Sequence, residues 1–217
     1  MGRYVLVGYD GSKESEEALR WAAELTREAR GAELAVVGSH EQGELSLGST
    51  ALRLPARSAR PVVVVRSTGT DHGRVVAGVD GSPGGEAALA FAFQLAALRG
   101  WSLRAVHGCW EPSAAPEHDL ALFSEEEKLR QVTETRLEQA VEPWRVRCPG
   151  VGAAASVILT PPREALFEAA RDADLVVVGT RGTGGFDPLL PGATSGAMLQ
   201  HAPCAVAIVP SGDGHDR

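Results

Sequence analysis

The chain is poor in the residues that staple small folds or carry most catalysis. Its 217 residues hold three cysteines and two methionines, and aromatic residues make up 5% of the total. Cys109, Cys148 and Cys204 are odd in number, far apart and without a Cys-x-x-Cys spacing. That excludes a disulfide framework or a zinc ribbon and fits reduced thiols in a cytoplasm. The six histidines are dispersed and form no metal-ligand set. No apolar run approaches the ~20 residues of a membrane span. Met1-Gly2-Arg3-Tyr4 leads straight into a strand-like run and reads as no signal peptide. A basic surplus is missing too, because the formal net charge is −7. Residues 1–66 are balanced at nine Lys/Arg against nine Asp/Glu, so the rest of the chain carries the whole acidic excess. General nucleic-acid and anionic-membrane binding are therefore not expected, while a local phosphate site stays open.

Two common nucleotide fingerprints are absent. There is no GxxxxGK[ST], since Gly11-Ser12-Lys13 has the wrong order and context, and no GxGxxG follows the first strand. Lysine occurs only at Lys13 and Lys128, neither near a glycine-rich loop. No Ser-His-Asp order or paired-carboxylate motif stands out. The base and charge clamp that an evolved phosphoryl-transfer enzyme needs do not stand out here, leaving at most weak hydrolysis.

What the chain does contain is a repeat. Residues 5–12 read Val-Leu-Val-Gly-Tyr-Asp-Gly-Ser and residues 75–82 read Val-Val-Ala-Gly-Val-Asp-Gly-Ser, at a constant offset that also pairs Leu19 with Leu89 and Trp21 with Phe91. Gly48-Ser49-Thr50 ahead of Pro61-Val62-Val63-Val64-Val65 parallels Gly192-Ala193-Thr194 ahead of Ala205–Val209. Two modules begin and end alike, and the first lacks much of the middle. The expected division is a truncated module over 1–66, a small polar linker over 67–73, a complete module over 74–211 and a tail over 212–217.

In the second module, β-rich runs at Val75–Val79, Leu103–His107, Ala154–Leu159, Leu175–Val178 and Val206–Val209 alternate with helices. Ser82-Pro83 caps the first helix and Gly100 stops it, Ser124 opens one that runs to Val141, and another covers Arg163–Arg171. Continuous rather than alternating apolar runs predict a parallel sheet covered on both faces. The first module supports three strands, Tyr4–Tyr9, Leu34–Val37 and Val62–Val65, with a helix over Lys13–Arg30 and a shorter one before Pro61. So thin a layer must lean on the second module or on another chain.

Ligands of open parallel sheets bind beyond the strand carboxyl ends where strand order reverses. Asp80-Gly81-Ser82 and Gly179-Thr180-Arg181-Gly182-Thr183-Gly184-Gly185, followed by Gly192-Ala193-Thr194-Ser195, suit that place. Glycines let the backbone approach a phosphate, and a helix N-terminus favours an anion. Each residue also has a structural reading. Asp80 can simply buttress the turn, Thr194 and Ser195 can be caps, and Arg181 is either a phosphate contact or a solvated side chain. Asp187 reads as a solvated loop acid, and Trp101, Trp110 and Trp144 as covers of helix–sheet or subunit surfaces.

The spacing Gly179-x-x-Gly182-x9-Gly192 resembles the glycine motif of the universal stress protein family, with Ala193 in place of the hydroxyl residue. Val-Val-Gly-Thr-Arg-Gly-Thr-Gly-Gly-Phe, His201-Ala202-Pro203-Cys204 and the opening Gly-Val-Asp-Gly-Ser match it as well. The resemblance implies a Rossmann-like α/β sheet of order 3-2-1-4-5 in the second module, packed with the truncated copy. It implies a homodimer or an internal pseudo-dimer joined through last strands. It also implies an adenine nucleotide, ATP with or without Mg2+. Asp80, Gly81 and Val106 then border base and ribose, while Gly179, Arg181, Gly182, Gly192, Thr194 and Ser195 fall on the phosphate side. Three features depart from the family: Ala193, Thr160-Pro161 at the adenine rim, and the lost Gly-x-x-Gly of the first module. That first module is expected not to bind, with Ser49 a helix cap. The expected function is ATP-binding stress regulation in the cytoplasm; the alternative is a nucleotide-free dimerisation scaffold with a relict glycine loop.

Overall fold

A computed structural model describes residues 5–28, 33–39, 49–66, 71–109, 120–182 and 192–211. The elements run β1 (Val5–Gly8), α1 (Lys13–Glu28), β2 (Leu34–Gly38), α2 (Ser49–Arg57), β3 (Val62–Val65), β4 (Arg74–Gly78), α3 (Pro83–Arg99), β5 (Ser102–Gly108), α4 (Leu120–Arg147), β6 (Ala153–Ile158), α5 (Pro162–Ala170), β7 (Leu175–Gly179), α6 (Ala193–His201) and β8 (Ala205–Val209). The eight strands form one sheet in the order β1-β2-β3-β8-β7-β4-β5-β6. Numbered from β4, the last five read 3-2-1-4-5, as expected. Every pairing is parallel except β3 with β8, where Val62 faces Ile208 and Val64 faces Val206.

The strands are short β-branched runs with both faces covered, so alternation disappears from their sequences. All residues of β3 and β8 are buried. One core lies under α1, α3 and α4, with Leu25, Leu89, Phe93 and Val141 against Val36, Val75 and Val177. The other lies under α2, α5 and α6, with Ala51, Leu166, Met198 and Leu199 against Val64, Val176 and Ile208. Helix α3 is apolar nearly all round because it touches the sheet, α1 and α4 together.

The first three strands are those that the repeat equates with strands one, four and five of a full unit. Strand β1 ends the sheet, and no strand among the described residues pairs with its outer side. Leu6, Tyr9 and Leu19 are 62%, 59% and 49% exposed, whereas their counterparts Val76, Val79 and Leu89 are buried to 5% or less. In the second half β5 pairs with β4, and Leu166 of α5 reaches the face of Gly78. Among the described residues the first half shows neither cover.

Helix α4 departs from expectation at both ends. It starts at Leu120, upstream of Ser124, because Leu-Ala-Leu-Phe are compatible with helix. It also continues past Val141, the expected end, through Pro143 to Arg147. Contacts beyond the proline hold the last turn. Trp144 stacks on Phe93 at 5.9 Å, and Arg145 reaches Glu138, Glu142 at 3.2 Å and the Ala153 carbonyl at 3.3 Å. The end of the expected linker is anchored: the Asp174 carboxylate accepts from His72 N–H at 3.0 Å and Arg74 N–H at 3.1 Å.

Candidate functional site

The parallel order reverses between β4 and β7, and a cleft of about 220 Å³ opens there. Four elements make its walls. The end of β4 supplies Gly78, Val79 and Asp80; β5 supplies Val106, His107 and Gly108; the exit of β7 supplies Gly179, Arg181 and Gly182; and α6 supplies Ala193, Thr194 and Ser195 behind Gly192.

The Asp80-Gly81-Ser82 turn is local chemistry. Gly81 sits at φ +77°, the left-handed region where a side chain is strained. This lets Asp80 Oδ1 accept from Ser82 N–H at 3.0 Å and from Ser82 Oγ at 2.5 Å. Ser82 Oγ in turn accepts from Gly85 N–H at 3.1 Å, capping α3. The same bonds recur at β1, where Ser12 N–H donates to Asp10 Oδ1 at 3.0 Å and Ser15 N–H to Ser12 Oγ at 3.1 Å.

The phosphate-side loop is pressed against the start of α3. A β-carbon on Gly179 would lie 2.6 Å from the Gly84 carbonyl carbon, and one on Gly84 would collide with the Arg181 carbonyl oxygen. Thr180 N–H donates to the Val209 carbonyl at 2.8 Å, and Gly192 N–H to the Thr180 carbonyl at 2.9 Å, so both ends of the loop are fixed. Ser195 is 2% exposed. Its hydroxyl faces the Thr180 and Gly192 carbonyls at 3.1 and 3.0 Å. Its proton therefore clasps the loop rather than being free for a ligand. Thr194 Oγ1 has no partner among the described residues. Helix α6 carries no side-chain cap at Gly192, so its first-turn N–H groups face the cleft mouth without one. Arg181 is exposed and makes no ion pair among the described residues.

Of the nine residues singled out from sequence, the structure brings eight together: Asp80, Val106, Gly179, Arg181, Gly182, Gly192, Thr194 and Ser195 line the cleft. Gly81 does not line it; its role is the turn that aims Asp80. Sequence reasoning missed Gly85, His107, Gly108, Pro162 and Leu166 as lining residues. Two glycines in the first turn of α3 were a usable signal, because such a pair is costly in a helix unless something approaches closely. Gly108 is explained the same way: a β-carbon there would stand 2.5 Å from Pro162 Cα. Thr160 Oγ1 is buried without a hydrogen-bond partner among the described residues. Asp187 and Trp110 lie outside the described residues, as do 40–48, where the first glycine loop was expected. Among the described residues no group of three or more His, Cys, Asp or Glu is placed to hold a metal ion. No helix there is long and apolar enough to cross a membrane.

An open α/β sheet with a glycine-edged crevice at its switch point defines the class. The chain belongs to the universal stress protein family, whose family model matches residues 1–37 and 72–210. A universal stress protein of Mycobacterium tuberculosis is 35% identical over 185 residues, covering 82% of this chain and 61% of the relative. One of Mycolicibacterium smegmatis is 35% identical over 190 residues, covering 83% and 63%. The chain thus spans about three-fifths of the curated relatives it matches. Among solved structures, a universal stress protein of Archaeoglobus fulgidus superposes with TM-score 0.57 at 17% identity over 87% of this chain and 65% of that one. One of Lactobacillus plantarum gives 0.54 at 20% identity over 64% and 99%. These two likenesses are of fold.

Proposed function

We propose that the chain binds ATP, with or without Mg2+, in the β4–β5–β7–α6 cleft, and that occupancy regulates a stress response rather than feeding a turnover reaction. The observation that carries this reading is the uncapped first turn of α6, set across from the Gly179–Gly182 backbone with the exposed Arg181 beside it. Free N–H groups and a positive helix end favour a polyanion, and backbone without side chains lets it come close. Asp80 is the only carboxylate lining the cleft among the described residues, and it lies against Gly182 of the glycine loop; the family resemblance assigns it to the base-and-ribose side.

The two-part division belongs to the same proposal: a cut-down unit over 1–66, joined through 67–73 to a complete unit over 74–211. The first unit keeps the Asp10–Ser12 turn and the close approach of Gly38, where a β-carbon would stand 2.5 Å from the Glu14 carbonyl. With β1 at the sheet edge, no strand among the described residues stands in the place of β5 to form a base wall, which supports the reading that this unit does not bind. The antiparallel β3–β8 pairing supports an internal pseudo-dimer. A cytoplasmic location suits its free cysteines.

The test is a melting curve of the full chain with ATP, with and without Mg2+. A ligand that binds only the folded state stabilises by about 2.7 kcal/mol at a hundred times its Kd, so a clear rise in Tm is expected. An unchanged Tm under millimolar ATP overturns the reading and leaves the scaffold alternative. Steady release of ADP, lost on changing the loop, would replace regulation with catalysis.

A further inference from the structure

His107 is held by one nitrogen and offers the other. Its Nδ1 lies 2.7 Å from the Val79 carbonyl oxygen. A carbonyl can only accept, so Nδ1 carries the proton in that bond. In the neutral ring Nε2 is then an acceptor with its direction fixed by the Val79 tie. Nε2 has no partner among the described residues, and His107 is half-buried and lines the cleft between Val106 and Gly108. Those two neighbours contribute no polar side-chain atom to the β5 wall. Gly108 cannot be enlarged, because α5 begins against it. Side-chain recognition from that wall therefore falls to one ring nitrogen.

We propose that His107 is a specificity-determining residue: its Nε2 accepts a hydrogen bond from an N–H or O–H donor on the adenosine half of the nucleotide. The donor is the 6-amino group or a ribose hydroxyl. The inference rests on the nucleotide reading above and adds to it the residue that discriminates. A ligand without the donor leaves Nε2 unpaired in a partly desolvated place, which is the kind of mismatch that binding sites reject.

The experiment measures, by calorimetry on the full chain, the affinities of ATP, ITP and 2′-deoxy-ATP. ITP replaces the 6-amino group by a carbonyl, and the deoxynucleotide removes one hydroxyl. The unmodified chain is expected to bind ATP roughly tenfold more tightly than one of the two analogues, and which one names the donor. His107→Asn keeps a donor for Val79 and loses the far acceptor; in it the ATP-to-analogue ratio is expected to fall to about one. His107→Phe, which also fills the ring volume, gives the same collapse if the first variant is poorly folded. Ratios within one variant are insensitive to a general loss of stability. Equal binding of all three by the unmodified chain, or an unchanged ratio in both variants, overturns the role of His107 while ATP binding stands. No binding of any of the three overturns the nucleotide reading, and this inference with it.

Discussion

The Asp80 carboxylate and Gly182 are fitted so closely that a β-carbon on Gly182 would collide with Asp80 Oδ2. The other oxygen of the same carboxylate is held by Ser82 N–H and Oγ at 3.0 and 2.5 Å. Asp80 cannot yield without uncapping α3, so the loop must. Gly182→Val is expected to abolish the ATP-induced rise in Tm while costing ~1–3 kcal/mol without ligand, the usual scale of overpacking. Gly81→Ala is the counterpart. At φ +77° and outside the cleft lining, it is expected to cost ~1–2 kcal/mol of left-handed strain yet keep the ATP shift. Melting curves of both variants with and without ATP check the pair; a retained shift in Gly182→Val would put the site elsewhere.

Ala193 is the exposed first residue of α6, where the family motif has a hydroxyl. Its N–H remains available, so the loss weakens an anion site without dismantling it. Ala193→Ser is expected to tighten ATP by roughly twofold to tenfold, one hydrogen bond's worth. Stability without ligand should stay within ~0.5 kcal/mol, as for most surface changes. Calorimetric titration reads both; an unchanged affinity removes position 193 from the site.

Much of this was legible in the residues, for stated physical reasons. The parallel α/β class followed from the apolar runs, while the order 3-2-1-4-5 came with the family resemblance that the Gly179–Gly192 spacing carries; of the eight cleft residues Val106 came only with that resemblance, and the others lie in or beside the Asp80–Ser82 and Gly179–Ser195 segments. What escaped was tertiary. His107 was missed because nothing in Ala-Val-His-Gly says that the Val79 carbonyl waits 2.7 Å away. Pro162 and Leu166 enter the wall only through the way α5 crosses β5. The helix expected to end at Val141 runs on to Arg147, because the Trp144–Phe93 stack that supports its last turns joins residues far apart in sequence.

Burial, with the nearby Asp174 charge adding to it, pushes the Cys204 thiol up from 9.0 to about 12, against smaller opposing effects of Arg66 and the Val176 main chain. In the unfolded chain the same thiol ionises at its ordinary value. The folded state therefore holds its proton more tightly, and stability falls as pH rises from about 9 towards about 12. Each pH unit inside that window removes about 1.4 kcal/mol. Urea unfolding at pH 8 and pH 10 is expected to show a larger loss for the unmodified chain than for Cys204→Ala. At pH 8 a thiol reagent should reach the half-buried Cys109 and Cys148 before Cys204. Equal pH slopes in the two proteins would remove Cys204 as the cause.

Arg99 at the end of α3 ties that helix to α1. Its guanidinium carbon lies 5.1 Å from the Trp21 ring and 5.3 Å from the Trp101 ring. Nη1 donates to Glu24 at 2.9 Å and Nη2 to the Trp21 carbonyl at 3.1 Å. The arginine side chain is 7% exposed but Glu24 is 59% exposed, and this asymmetry sets the expected costs. Arg99→Met keeps the aliphatic stem and removes the ring contacts and the bond to Trp21, so a loss of ~1–3 kcal/mol is expected. Glu24→Gln touches only the solvated end of the pair and should cost less than ~1 kcal/mol. Urea midpoints rank the two. A methionine variant as stable as the original would mean that α1 is held to α3 by apolar packing alone. A large loss confined to Glu24→Gln would mean that charge, rather than the tryptophan sandwich, holds α1 to α3.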